Sequence, residues 1–303
     1  MMKKINGKIT FGVLIILMVL LTSCTGRETD TTQQDWRKGT QAIEMNFIQG
    51  APPSVVYNDD PIEFSVEVWN RGASPLFGDL YFTGFDDDIF SGMSKRPIRM
   101  DISDHKTKYN PEGGHDIISQ FGRVILPEGV DVFKETRVVA EACYSYETIS
   151  DVAVCIDPEP NKRDFSSDAC RPKDVSGGSQ AAPVAITNVQ VEPTPQKTIF
   201  RITIKNVGKG TILDRTVVQD CLDSDVTFPL TDWVDVDEVK LGLNDHLRCE
   251  TPNPVKLVNG VGKIHCIADN IRGSSAYATT LTIRLTYGYR ESIEVPIEVR
   301  STI

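Results

Sequence analysis

The sequence predicts an all-β protein made of two tandem antiparallel β-sandwich domains. Residues 62–69 alternate apolar and polar side chains, and residues 199–205 do the same, which is typical of half-buried strands. Glycine, proline and asparagine break the chain between such segments, and there is little helical period. Two ordered motifs recur along the chain, so we expect a duplicated domain.

Two pairs of segments define this repeat. The pattern Asn-x-Gly ends a strand at residues 70–72 and again at 206–208, an offset of 136 residues. The pattern Tyr-x-Tyr occurs at residues 144–146, and residues 287–289 match it at an offset of 143. Each tyrosine pair is followed by a second apolar run. We therefore expect a hairpin in each copy, with its loop at residues 148–150 in the first.

Composition sets the predicted boundaries. The chain is expected to contain a signal peptide at 1–23, a polar tether at 24–42, a first sandwich at 43–157, a linker rich in Pro, Ser and Gly at 158–182, and a second sandwich at 183–303. Each sandwich carries an irregular insertion, at 86–121 and at 249–275, and such excursions are where binding residues concentrate. The second insertion should turn at Asn259 and Gly260, a strong hairpin signal.

The first residues have the order of a secretory signal. Lysines precede an apolar run that is too short to cross a ~30 Å hydrocarbon core, and small residues follow it. The ending Leu-Thr-Ser-Cys at 21–24 resembles a lipobox. That resemblance implies that Cys24 is lipidated and holds the protein on the extracytoplasmic side of the cell membrane. An ordinary signal peptide and a short uncleaved anchor remain the alternatives.

The net charge excludes some partners. Cleavage before Cys24 removes three lysines and lowers the formal charge from −10 to −13. Nucleic acids and anionic lipid surfaces are recognised by clusters of Lys and Arg, so neither is an expected partner.

The six cysteines after Cys24 predict up to three disulfide bonds in an exported chain. They are Cys143, Cys155, Cys170, Cys221, Cys249 and Cys266. Cys143 would face Cys155 across the first predicted hairpin, and Cys155 with Cys170 is the rival pairing. Cys249 and Cys266 bracket the second insertion, which leaves Cys170 and Cys221 as a further pair. Zinc is a weaker explanation because Cys-x-x-Cys spacing is absent.

The strand followed by Asn-x-Gly resembles the CARDB and immunoglobulin-like modules of prokaryotic surface proteins. Residues 143–148, 154–158 and 182–187 are also similar to a family of exported two-domain archaeal proteins with no settled function. The resemblance covers most of residues 43–301 and implies an immunoglobulin-like fold. The resemblance predicts no catalytic or binding chemistry, because β-sandwich folds host many unrelated functions.

Candidate chemical groups are few. The sequence contains no hydrolase, zinc-protease or phosphate-loop motif. His105 and His115 lie in the first insertion with several aspartates, where a solvated loop is a better explanation than a metal or proton-transfer site. Weak calcium candidates are Asp86, Asp87, Asp88, Asp235 and Asp237, although acidic clusters more often serve solubility. Calcium is the only cofactor that the sequence suggests.

The aromatic residues are expected to pack inside the sandwiches. Trp69 lies out of phase beside Val68, yet a core tryptophan is the favoured interpretation. Each Tyr-x-Tyr pair shares one face of a strand, which favours cross-strand packing over an exposed strip for a glycan or partner.

These features together predict a lipid-anchored, non-catalytic envelope protein that acts as a binding, adhesion or spacer module. Its partner would be an envelope protein or a glycan. The alternative is a subunit of a secretion, pilus or surface-layer complex, and an exported hydrolase is less favoured.

Overall fold

The computed structural model describes residues 35–126, 134–162, 169–222, 228–243, 245–269, 271 and 273–301. Within these ranges the regular structure is β-strand apart from short 3-10 turns, and all strand pairs but one are antiparallel. The predicted all-β class is therefore confirmed, whereas an immunoglobulin-like topology stays a prediction. No helix in this part of the chain has the length and apolar character needed to cross a membrane.

The described part of the first half contains eight strands: β1 (Ile43–Phe47), β2 (Val55–Tyr57), β3 (Pro61–Asn70), β4 (Leu76–Thr83), β5 (Phe90–Ser91), β6 (Ile98–Ile102), β7 (His115–Val124) and β8 (Lys134–Ile156).

The second half contains ten described strands: β9 (Val175–Ser176), β10 (Val184–Thr194), β11 (Lys197–Asn206), β12 (Thr211–Leu213), β13 (Trp233–Leu241), β14 (Asp245–His246), β15 (Arg248–Cys249), β16 (Val255–Lys256), β17 (Val261–Ala268) and β18 (Tyr277–Arg300).

These strands form three sheets. The first sheet has the order β1-β3-β7-β5, and the second has the order β15-β17-β11-β10-β9. The largest, here called the central sheet, runs β14-β13-β18-β8-β4-β6, with β2 and β12 also paired to β18. The predicted turn at Asn259 and Gly260 is confirmed, since both residues have positive φ and Val258 bridges Val261.

The centre of the molecule is one long pairing between the two halves of the chain. β8 and β18 pair antiparallel from Tyr277 opposite Ile156 to Val299 opposite Lys134. The two predicted hairpins are therefore wrong, because each Tyr-x-Tyr segment continues into a single straight strand. Thr148 and Ser150, placed in a loop by the sequence, keep the alternation of β8 and are both buried. The two halves meet in one continuous sheet.

Both small sheets cover the same face of this central sheet. The even-numbered side chains of β8 from Val138 to Ile156 are buried, as are the cross-strand partners of its middle part, Leu281 to Tyr289 in alternation. Phe64 of the first sheet and Phe200 of the second belong to the same apolar core. The opposite face of the central sheet carries cross-strand ion pairs, among them Glu147 with Arg284 at 2.8 Å.

Four tyrosines lie at the middle of this pairing. Tyr144 is opposite Tyr289 and Tyr146 is opposite Tyr287, so the arrangement repeats after a half-turn about an axis near Ser145. Neighbouring ring centroids are 5.9–6.4 Å apart, within the range of favourable aromatic contacts. All four rings are buried. The packing role predicted for these tyrosines is confirmed.

The repeated Asn-x-Gly motif positions two of these tyrosines. The side chain of Asn70 donates to Ser74 O (2.9 Å), and the Ser74 amide donates to the Tyr146 hydroxyl (3.1 Å). In the second copy Asn206 donates to Gly210 O (3.0 Å), and the Gly210 amide donates to the Tyr289 hydroxyl (2.9 Å). The same loop therefore satisfies a buried tyrosine in each half.

The loop comes so close to the tyrosine hydroxyl that the third residue of the motif must be glycine. A Cβ at Gly72 would overlap the Tyr146 hydroxyl, and a Cβ at Gly208 would overlap the Tyr289 hydroxyl. The sequence signal Asn-x-Gly thus records a close contact between a loop and a central tyrosine.

The described residues contain three disulfide bonds, which use all six cysteines after Cys24: Cys143–Cys221, Cys155–Cys170 and Cys249–Cys266. The predicted bond between Cys143 and Cys155 is wrong, since both residues lie on the same straight strand. The rival bond from Cys155 is confirmed. The pairing of Cys249 with Cys266 is also confirmed. The remaining predicted pair, Cys170 with Cys221, is wrong, because Cys221 bonds Cys143 and so joins the two halves of the chain.

Loss of the Cys143–Cys221 bond is expected to destabilise the protein more than loss of the Cys155–Cys170 bond. The first joins residues separated by 78 positions and the second by 15. Loop-closure entropy grows with loop length, so the contributions should be about 4.5 and about 3 kcal/mol. Denaturant unfolding of the two double Cys→Ser variants measures both, and a reversed order would contradict the expectation.

Gly72→Ala is expected to lower the free energy of unfolding by about 2 kcal/mol or more, because the new methyl group overpacks the Tyr146 site. Tyr146→Phe in the same chain should recover part of that loss by removing the overlapping hydroxyl. Exposed Ser145→Ala is the matched control and should be near neutral. If the losses of unfolding free energy in Gly72→Ala and Tyr146→Phe were strictly additive, this explanation would be contradicted.

Candidate functional site

The outer face of the first sheet carries exposed apolar side chains. Alternation along β7 turns Ile118 into the core and Ile117 and Phe121 outward, where they are 52% and 67% exposed. Trp69 and His115 continue this row at the end of β3 and β7. We call Trp69, His115, Ile117 and Phe121 the outer stripe.

Trp69 is held in place by two neighbours. It lies directly opposite His115, and the two rings stack with centroids 4.4 Å apart and planes inclined by 17°. The guanidinium of Arg71 lies 4.3 Å from the centre of the indole ring, an attractive cation–π geometry. Trp69 is half-buried on the outer face, so its predicted place in the core is wrong. Its phase beside the buried Val68 was the signal for the outward position.

Carboxylates border the stripe. Arg71 donates to Glu44 (2.6 Å) and to Glu112 (2.8 Å), and the hydrogen bond from Arg71 holds the pKa of Glu44 below its usual value. Across β3 and β7, Glu67 is paired with Ile117 and Glu63 with Phe121. The face therefore combines exposed apolar surface with negative charge.

This arrangement has the chemical features of a recognition surface. Exposed aromatic and aliphatic side chains provide area to be buried by a ligand, and the bordering carboxylates provide hydrogen-bond acceptors. The only ionisable side chain within the stripe, His115, has its ring stacked on Trp69.

The other predicted site residues are dispersed. Asp87 pairs with Lys95 (3.0 Å), and Asp86 accepts from the Asp88 amide (3.1 Å). Asp235 and Asp237 lie on β13, where Asp235 is 3.7 Å from Arg215. Over the described ranges no three His, Cys, Asp or Glu side chains are grouped to hold a metal ion. Calcium binding stays a prediction.

A second feature lies beside the tyrosine cluster. Glu291 of β18 accepts a hydrogen bond from the Tyr144 hydroxyl at 2.9 Å. Desolvation raises the pKa of this carboxyl, and the Tyr144 hydrogen bond and the charge of Lys209 offset part of the rise. Sequence analysis missed Glu291, because no local pattern marks a charged residue that folding buries.

Glu291 has an equivalent in the other half of the chain. At the offset of 143 that relates Tyr144 to Tyr287, the counterpart of Glu291 is Thr148. Thr148 lies 2.9 Å from the Tyr287 hydroxyl and donates to Val184 O at 2.7 Å. One copy of the repeat therefore has a satisfied hydroxyl where the other has a half-buried carboxyl.

Comparison with protein-family models and with curated protein sequences gives no match. Cys24, the predicted signal peptide and most of the predicted tether lie outside the described residues. Lipidation at Cys24 therefore stays a prediction from the sequence.

Glu291→Gln is expected to stabilise the protein at neutral pH. A carboxyl whose pKa is raised by folding favours the folded state at low pH, and this contribution is lost as pH rises through the folded-state pKa. Gln keeps an acceptor for Tyr144 without the charge. The free energy of unfolding should therefore exceed that of the natural protein near pH 7 and differ little at pH values where Glu291 is protonated. An equal difference at both pH values would contradict this.

Proposed function

We propose that this protein is an exported, non-catalytic binding module of the cell envelope, anchored through a lipid on Cys24, and that the outer stripe contacts a protein partner. The observation that carries the proposal is the pair of exposed side chains Ile117 and Phe121 beside the stacked Trp69. Exposed large apolar side chains on one face of a sheet, bordered by polar residues, are a feature of interaction sites.

The composition of the stripe favours a protein partner. Tryptophan, phenylalanine and arginine are enriched at the centres of protein interfaces. Arg71 and His115 restrain Trp69 before any partner arrives, so little side-chain entropy is lost on binding. The bordering glutamates would pair with basic residues at the rim of such an interface.

The covalent framework supports an extracellular location. Three disulfide bonds in one chain are typical of oxidising compartments. Together with the lipobox-like ending at Cys24, they favour a module displayed outside the cytoplasm.

The double variant Ile117→Ser/Phe121→Ser is expected to abolish most cross-links to the partner in intact cells, because it removes the apolar centre of the interface. Val258→Ser is the matched control, since Val258 has the same 67% exposure as Phe121 and lies on the second half. Cross-linking mass spectrometry at native abundance provides the measurement.

Unchanged cross-links in the double variant would overturn the stripe as the interface. Binding to purified envelope polysaccharide that the double variant loses would replace the protein partner with a glycan. A recurrent partner in fixed stoichiometry would identify the protein as a subunit of an envelope complex.

A further inference from the structure

The edge of the first sheet lies open beside a polar cleft. β1 is an edge strand, and the cleft between it and β18 has a volume of 540 Å³, within the range of ligand sites. We call it the seam cleft. The residues that line it include Ile43, Met45, Glu141, Lys209, Arg290 and Glu291.

Backbone groups of β1 point into this cleft. The Arg71 amide donates to Ala42 O and the Ile48 amide donates to Ser65 O, so the even-numbered residues of β1 bond to β3. In an antiparallel strand the alternate residues bond on the opposite side. The N–H and C=O groups of Ile43, Met45 and Phe47 therefore face the open edge, and no other described residue bonds them.

The second half of the chain covers the equivalent edge with its own preceding segment. Ile186 of β10 corresponds to Met45, because each lies opposite the residue two before the Asn of its Asn-x-Gly motif. The Gln180 side chain accepts from Ile186 N (2.8 Å) and donates to Ile186 O (3.0 Å). Just beyond it β9 pairs with β10 and contacts β8. At the equivalent edge, one side chain and a short strand therefore occupy the backbone groups of β10.

The corresponding segment of the first half runs elsewhere. The Gly39 amide donates to Ser179 Oγ (2.8 Å), and Ser179 Oγ donates back to Gly39 O (3.0 Å). Arg37 pairs with Asp151 of β8 at 3.1 Å. Gly39 therefore contacts the second half and Arg37 contacts β8, and among the described residues no strand pairs with the outer edge of β1.

The charges of the cleft select the occupant. Arg290 is 3.4 Å from Glu141, whereas no cation in the described part of the chain lies at ion-pair distance from Glu291. A cationic side chain of a partner could form a charge-assisted hydrogen bond with this half-buried carboxylate. A second copy of the chain is disfavoured, because its formal charge is also −10.

We propose that the seam cleft binds an extended peptide segment of a partner protein, which pairs with the open edge of β1 and places a lysine or arginine against Glu291. Strand addition supplies main-chain hydrogen bonds, and the cation supplies selectivity. This site is separate from the outer stripe.

The test selects random linear peptides from a display library against the full-length protein. Recovered peptides should carry Lys or Arg, and they should slow hydrogen exchange at the amides of Ile43, Met45 and Phe47. Glu291→Gln should weaken binding about tenfold or more, as expected for loss of a charge-assisted hydrogen bond. Glu294→Gln is the matched control and should leave affinity unchanged, because Glu294 lies on the same strand outside the cleft lining and pairs with Arg137.

Failure to recover any peptide, unchanged affinity in Glu291→Gln, or protection at amides other than those of β1 would overturn the proposal. If peptides instead slowed hydrogen exchange along β7, and Ile117→Ser/Phe121→Ser removed that effect, the outer stripe alone would be the binding site. Unfolding curves of both glutamate variants show whether a loss of binding reflects a loss of folded protein.

Discussion

The antiparallel pairing of β8 with β18 positions the other described strands. It joins the two halves of the chain in one sheet, and the two small sheets pack side by side on its apolar face. Four buried tyrosines at its middle need hydrogen-bond partners for their hydroxyl groups, because an unpaired buried polar group costs about 1–3 kcal/mol. The loops that begin with Asn70 and Asn206 provide two of these partners.

The two halves that meet in this pairing have similar supporting contacts but differ at their sheet edges. The Asn-x-Gly loop and its tyrosine are the same in both. By contrast, Thr148 and Gln180 satisfy the edge of the second sheet, whereas Glu291 lies beside an uncovered edge in the first. Edge strands usually need protection from unintended pairing, so an uncovered one is an informative exception. The chain protects the edge of β10, whereas no strand in the described ranges pairs with the outer edge of β1.

The two candidate surfaces would bind their partners through different interactions. The outer stripe offers apolar area held rigid by the stacking of Trp69 on His115, and the seam cleft offers backbone groups and one half-buried carboxyl at Glu291. The outer stripe belongs to the first half, whereas the seam cleft combines β1 of the first half with Glu291 of the second. The second half contributes the disulfide at Cys221 and the Lys209 loop that closes one side of the cleft.

The sequence by itself determined the all-β class, the duplication and the turn at Asn259, because period-two alternation, a repeated motif and turn chemistry are local signals. Only the tertiary structure decided that β8 runs straight through Thr148, that Cys143 bonds Cys221, and that β1 keeps an open edge. These features depend on which distant strands meet. Alternation places a side chain on one face of a strand, but the identity of the strand that covers that face is fixed by long-range packing.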